Sequence, residues 1–307
     1  MTIFVIISQQ MENTNDINFE IENLEAQMNN ADFWNDKEKA QNVIKLIKEL
    51  KDKRDGVSSL DKGGAIMSIL AGAGGDDSED FARMLFEMYD AYFKRQGFSY
   101  ITLHDNKNDH GGFRNLTIEI KGNPPAGGVY GNLKNESGVH RLVRISPFNA
   151  QAKRHTSFAM VEVLPIIPEV ERKNIPPEEI RIETSKSSGP GGQNVNKRET
   201  AVRVIHIPTN IAVSVATERQ QDQNKQKALE VLSAKLFKLD EEKRKAEIEG
   251  RQISKTTEIE WGNQIRSYVL HPYKMVKDHR TDFETSNVES VLEKGELDGF
   301  ILAEQKL

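Results

Sequence analysis

The chain has 307 residues, of which 37% are hydrophobic, with 21 glycines and 10 prolines; that length fits two or three domains, each able to bury its own core. It contains no cysteine, which excludes disulfides, thiolate metal sites and cysteine nucleophiles and makes the cytosol the expected setting. Lys and Arg number 42 against 47 Asp and Glu, a net charge of −5, so the molecule is no polycation and any nucleic-acid face must be local.

The first apolar run, Ile3 to Ile7, is too short to span a bilayer, and no later segment approaches about 18 apolar residues, so no membrane is expected. From Asp16 to about Asp55, Phe19, Ile21, Leu24, Met28, Val43, Ile47 and Leu50 recur at helical spacing, with a break near Phe33 and Trp34. This predicts two short helices. Residues 1–60 carry 7 basic and 11 acidic side chains, which leaves a docking arm and a solvated helical cap as equal readings.

Ala65 to Leu70 reads as a strand, and Ala71 to Gly75 as a glycine-rich passage into a helix whose apolar positions are Phe81, Met84, Leu85, Met88, Tyr89, Tyr92 and Phe93. Asp76 and Asp77 stand in its first turn, where exposed amides favour negative charge. Strands are expected at Tyr100–His104, Leu116–Ile120, Val139–Ile145 and Ser157–Val163, separated by glycine and asparagine turns. Pro165, Pro168, Pro176 and Pro177 then bracket a hinge. Beyond it come strands at Glu179–Thr184, Ala201–His206 and Ile211–Ala216. A polar helix runs from Gln223 towards Lys245, with Ala228, Leu229, Leu232, Leu236 and Leu239 as its stripe. The expected class is α+β and multidomain. Its parts are a helical arm at 1–60, a β-rich domain at 61–168, a small α+β module at 169–262, and a segment at 263–307 that reads as Tyr-, His- and Pro-containing polar loops with a short terminal helix, whose return to the β-rich domain periodicity leaves open.

Two segments carry chemistry. In Lys186-Ser187-Ser188-Gly189-Pro190-Gly191-Gly192-Gln193-Asn194-Val195-Asn196-Lys197-Arg198, three glycines around a proline present backbone N–H groups and one carboxamide. Lys186, Lys197 and Arg198 are placed to hold phosphate nearby. The spacing of a phosphate-binding loop is absent, and the residues alone leave an exposed turn and a functional apical loop both open. The second segment, residues 134–160, holds 5 Lys or Arg and a single acid. Within it Ser146 offers a hydroxyl for base edges, and Phe148 or His155 a ring for stacking, as single-stranded RNA requires. Arg141, Arg144 and Arg154 are candidates for RNA-backbone contact; acid pairing of Arg141 and Arg144, and a merely structural His140, are the alternatives. His104, His110, His271 and His279 have no matching acidic set, so no metal and no cofactor is expected.

The two motifs in this order resemble those of bacterial class I peptide-chain release factors of type 2, which terminate at UGA and UAA. Ser188 to Gln193 matches the family's GGQ segment, Asn194 to Lys197 the family residues directly after it, and Ser146-Pro147-Phe148 the codon-reading tripeptide. The resemblance implies that Ser146 and Phe148 read the stop codon, Pro147 shapes their loop, His155 and Thr156 serve the downstream bases and Val143 supports the loop. The helix start at Gly74, Gly75, Asp76 and Asp77 is implied to face the first uridine. Gly191, Gly192 and Gln193 are implied to enter the peptidyl-transferase centre, where the Gln193 amide stabilises charge developing during ester hydrolysis and its side chain, a candidate for N5-methylation, restricts the nucleophile to water. The implied partners are the ribosome, its RNA, the mRNA stop codon and peptidyl-tRNA, with a glutamine methyltransferase and, less directly, a recycling GTPase; the protein is expected to act as a monomer and not as a stand-alone enzyme.

The chain departs from the family pattern at several places. The helical arm runs from Lys51–Leu60 almost directly into Asp61, as though its middle were missing, which puts GTPase coupling in question. Asp76-Asp77 replaces the usual Thr-Glu, Asn123 to Gly128 is a longer turn, Ala216-Thr217 replaces an amide-rich pair, and Lys186 stands near the usual arginine. The rival functions are a stop-codon-independent rescue hydrolase, opposed by the intact tripeptide, and a noncatalytic ribosome-binding paralogue, opposed by the retained Gly191-Gly192-Gln193.

Overall fold

The computed structural model describes residues 17–26, 28, 40, 43, 44, 46, 47, 50, 51, 58, 60–122, 128–167, 175–185, 200–218, 220–248 and 262–306. The expectations for Phe33 and Trp34, the turn from Asn123, Pro168 and the glycine loop with Lys186, Gly191, Gly192, Gln193, Lys197 and Arg198 fall outside these residues. The chain divides into two compact units, Met1–Lys62 and Gly63–Leu307. In the first, Ile21, Ile47 and Leu50 form a buried cluster flanked by Ile17, Leu24, Met28 and Val43; all but Ile17 belong to the periodic pattern read above, whereas Phe19 of that pattern is 67% exposed.

The second unit is built on an eight-stranded sheet. Its strands are β1 (Ala65–Ala71), β2 (Ser99–Lys107), β3 (Phe113–Lys121), β4 (Gly138–Ile145), β5 (Arg154–Pro165), β9 (Gln264–Val269), β10 (Met275–Asp278) and β11 (Glu284–Thr285), in the order β11-β10-β9-β4-β5-β1-β3-β2. All neighbours are antiparallel except β4 and β9, the pair that carries the C-terminal strands back onto the sheet. Pro165 is the last residue of β5, paired with Ala65, rather than part of a linker.

Helix α1 (Asp76–Gln96) lies on one face of this sheet. Phe81, Leu85, Met88, Tyr89, Tyr92 and Phe93 fall on a single helical stripe and are buried against Met67, Ile69, Ile118, Leu142 and Val161. Each such side chain contributes about 1.5–3 kcal/mol of transfer free energy. The opposite face meets a three-stranded sheet, β6 (Ile180–Ser185), β7 (Ala201–His206) and β8 (Ile211–Val215), and helix α3 (Gln221–Ile248). Helix α2 (Val129–Leu133) is a short link before β4, and Val291 and Leu292 of helix α4 (Val288–Lys294) join the core beneath α1. Ile66, Leu103, Leu164 and Ile167 join Val202, Val204, Val213, Val215, Ala228, Val231 and Leu232 in one cluster. The stripe of α3 is therefore centred on Ala228, Val231, Leu232 and Ala234, with Leu229 and Leu236 at its margin.

One buried polar network fixes the C-terminal elements. Arg266 on β9 is fully buried and donates to both oxygens of Glu136, at 2.8 and 2.7 Å, and to Glu304 of α5 (Asp298–Glu304). Asp278 lies 3.4 Å away, Arg280 pairs with Asp278 and Glu304, and Tyr89 donates to Glu136 at 2.7 Å. Burial opposes ionisation of Glu136, but the charge and hydrogen bonds of Arg266 hold its carboxyl below the ordinary range. Glu304, buried beside the Glu136 charge, is pushed up to about 8. The network then contains two cations and two carboxylates, and charge balances with Glu304 protonated. His140 belongs here, not to an RNA surface: it is fully buried between Tyr268 and the Glu136 carbonyl, and burial with the Arg266 charge lowers its ring to about 4.

Candidate functional site

The first turn of α1, the β4–β5 loop and the β2–β3 hairpin meet at one end of the large sheet. Entering α1, Gly74 has φ +141°, and a Cβ there would lie 3.1 Å from Ser157 Oγ. Glycine alone meets both the dihedral and the gap. The turn is tied to β5 by Gly72 N–H donating to Phe158 O at 2.8 Å and Phe158 N–H donating to Ala73 O at 3.1 Å.

This geometry turns Asp77 inward. Its buried carboxylate accepts from His155 Nδ1 at 2.8 Å and from Arg144 at 3.3 Å, while Arg144 also donates to Asp80 at 2.6 Å. Burial pushes the Asp77 carboxyl up, yet hydrogen bonds from Ser146, His155 and Arg144, with the Arg144 charge, hold it below the usual carboxylate range. A carboxylate only accepts, so His155 Nδ1 carries the proton and Nε2 faces the Asn149 amide nitrogen at 3.1 Å as acceptor. Helix and loop together set the plane of the ring.

The β4–β5 loop itself is closed by Ser146 N–H donating to Lys153 O at 3.0 Å and Ala152 N–H donating to Asn149 O at 2.9 Å. Ser146 Oγ accepts from the Phe148 amide at 3.1 Å. Ser146 is 3% exposed, whereas Phe148 stands out at 41% and Pro147 is exposed beside it. Thr156 and Arg154 are exposed on β5, opposite Val143 and Ile145 in register; Val143 is buried.

Two expectations are corrected by this arrangement. Asp77 does not face outward with Gly74, Gly75 and Asp76, which are exposed; its three donors draw the carboxylate behind the loop. Arg144 is not available to RNA, because Asp77 and Asp80 take its guanidinium. Arg141 is half-buried on the other face of β4 and keeps a buried Nε without a partner. Sequence reading did not assign Asp80 or Asn149 to this cluster. Nothing local signals the Asp77–His155 pair, whose members are 78 positions apart.

The glycine segment leaves the small sheet at Ser185 and re-enters at Ala201, which are paired in register. Among the described residues, no group of three or more His, Asp or Glu side chains is arranged to hold a metal ion, and no helix is long and apolar enough to cross a membrane.

Comparison with known proteins places these features in a family. Residues 57–161 match the PCRF domain and residues 168–280 the RF-1 domain. Peptide chain release factor 2 of Thermotoga petrophila is 48% identical over 276 residues, spanning 88% of this chain and 74% of the relative. That of Pseudothermotoga lettingae is 40% identical over 336 aligned positions, 94% of this chain and 90% of the relative; the alignment is longer than the chain, so part of that relative has no counterpart here. Among solved structures, RF2 of Thermus thermophilus matches with a TM-score of 0.72 and 38% identity over 99% of this chain and 84% of that one. Similar over most of its length in sequence and in fold, the chain belongs to the peptide chain release factor 2 family.

Proposed function

We propose that this termination factor reads UGA and UAA in the ribosomal A site through Ser146, Pro147, Phe148, His155 and Thr156, and promotes hydrolysis of peptidyl-tRNA through Gly191, Gly192 and Gln193. The observation that carries the decoding half is the convergence of an exposed Phe148 with a His155 ring oriented by Asp77 and Asn149. Such a surface presents stacking faces and loop donors to unpaired bases. Arg154 supplies an exposed cation beside it; Arg141 remains a weaker candidate for the same duty, and Arg144 serves as a brace. Gly74, Gly75 and Asp76 border the first base.

In this reading residues 1–60 form the helical arm, 61–168 with 263–307 the codon-recognition body and 169–262 the hydrolysis module. Hydrolysis needs no protein nucleophile: the Gln193 backbone N–H stabilises the developing oxyanion in a site built largely by ribosomal RNA, so the protein alone is not an esterase. Lys186, Lys197 and Arg198 hold nearby RNA phosphates. Gln193 is a methylation target for a glutamine methyltransferase, the factor works as a cytoplasmic monomer, and the departures in its helical arm weaken coupling to a recycling GTPase.

A reconstituted release assay with the three stop codons, one sense codon and an empty A site tests this. Release on UGA and UAA alone is expected. Release on the empty A site would favour the rescue hydrolase, and binding without release the noncatalytic paralogue.

A further inference from the structure

We propose that His110, at the tip of the β2–β3 hairpin, is a positioning residue for decoding that braces the Phe148 ring; this rests on the reading of Phe148 as a codon contact. Phe148 is 41% exposed on a loop. The neighbouring ring is that of His110, with centroids 5.8 Å apart and planes inclined by 45°, within the range in which aromatic pairs attract.

His110 is exposed, but the backbone that carries it is held. Asn108 Oδ1 accepts from His110 N–H at 3.0 Å and from Gly112 N–H at 2.7 Å, and Asn108 N–H donates to Gly112 O at 2.9 Å. Gly112 then lies so close to α1 that a Cβ would sit 2.8 Å from the Glu79 carbonyl carbon, which no other residue tolerates. Arg114 Nε reaches Glu79 at 3.1 Å. The hairpin is therefore referenced to the same turn of α1 that supplies Asp77 and Asp80 to His155 and Arg144. One helical turn thus sets both rings that the decoding surface presents, His155 directly and Phe148 through His110. A ring held in its reading rotamer before the codon arrives loses less freedom on binding, and that appears as affinity for the codon rather than as rate of hydrolysis.

The test is release measured against factor concentration on UGA and UAA for the wild type, His110→Ala, His110→Phe, Phe148→Ala and the double variant His110→Ala/Phe148→Ala. His110→Ala is expected to raise the half-saturating concentration roughly 3-fold to 10-fold, the range of an aromatic pair, with the saturated release rate unchanged. His110→Phe restores the wild-type value, and in the Phe148→Ala background His110→Ala adds nothing further. An unchanged half-saturating concentration in His110→Ala beside a weakened Phe148→Ala overturns the bracing role and leaves the codon reading intact. The same loss from His110→Ala in both backgrounds also overturns it, since the histidine then acts without the ring. If Phe148→Ala itself releases as the wild type does on both codons, the codon reading fails and the brace with it.

Discussion

Asp77→Asn separates orientation of the reading loop from its mere presence. The wild-type carboxylate accepts from His155 Nδ1 at 2.8 Å, from Arg144 at 3.3 Å and from Ser146. Arg144 keeps Asp80 at 2.6 Å, so removing the charge leaves no cation unpaired, and the fold survives. The loss falls on His155, whose charge-assisted bond is replaced by a neutral one or by an opposing amide N–H. A hydrogen bond to a charged group contributes about 1.5–3 kcal/mol, and each 1.4 kcal/mol is tenfold. A remaining neutral bond keeps about 0.5–1.5 kcal/mol, so the net loss is about 1–2 kcal/mol and release on UGA and UAA should need roughly 5- to 30-fold more factor for half-saturation, while the plateau rate, which the proposed function assigns to the glycine segment, holds. Stability supplies an independent check. The folded Asp77 carboxyl is held below its ordinary range, so its contribution is present above the unfolded value near about 4 and is lost as pH falls through the folded one. Denaturant titrations should show that acid-side loss in the wild type and less of it in Asp77→Asn. A folded variant with unchanged half-saturation on both codons would refute the argument that Asp77 sets the His155 ring.

Three further outcomes are expected. Gly192→Ala should lower single-turnover peptide release by about 100-fold, the scale of one oxyanion donor, with stop-codon-dependent ribosome binding retained; near-normal release would place the chemistry elsewhere. Arg266→Met leaves Glu136 buried without its cation, while Asp278 keeps Arg280, and should cost about 3–5 kcal/mol in urea denaturation at neutral pH, less under acid as the carboxyl protonates; a loss below about 1 kcal/mol would show that the network is solvated. Glu304, raised to about 8 from an unfolded value near 4.5, binds its proton more tightly when folded, so its contribution is complete below the unfolded value and declines as pH rises through 8. Glu304→Gln should flatten that decline between about 4.5 and 8, and an identical slope in both proteins would count against a protonated Glu304.

The local patterns were legible because they are set by short-range physics. The stripe from Phe81 to Phe93, the alternation of β4 and β5 and the turns between them predict elements within a few residues of those observed. The tripeptide at Ser146 and the glycine segment at Gly191 carry the family by residue order alone. What lay beyond the sequence was everything that joins distant positions. Arg266 falls in a stretch that reads from the sequence as polar loop, yet it lies on strand β9 and meets carboxylates from Glu136, Asp278 and Glu304 only because β9 pairs in parallel with β4 and α5 closes over them. The sequence leaves RNA contact and acid pairing both open for Arg144 and reads Asp77 as a first-turn charge, until α1 packs on the sheet and makes them partners. His140 and His155 stand in the same basic segment, but alternation and neighbours bury one in a polar core and set the other beside the reading loop. Periodicity is a property of adjacent residues, whereas the partner of a buried charge is chosen by which strands and helices come together. The sequence alone thus determined the local elements and the family, and tertiary packing decided which charges stay exposed at the β4–β5 loop and which are paired behind it.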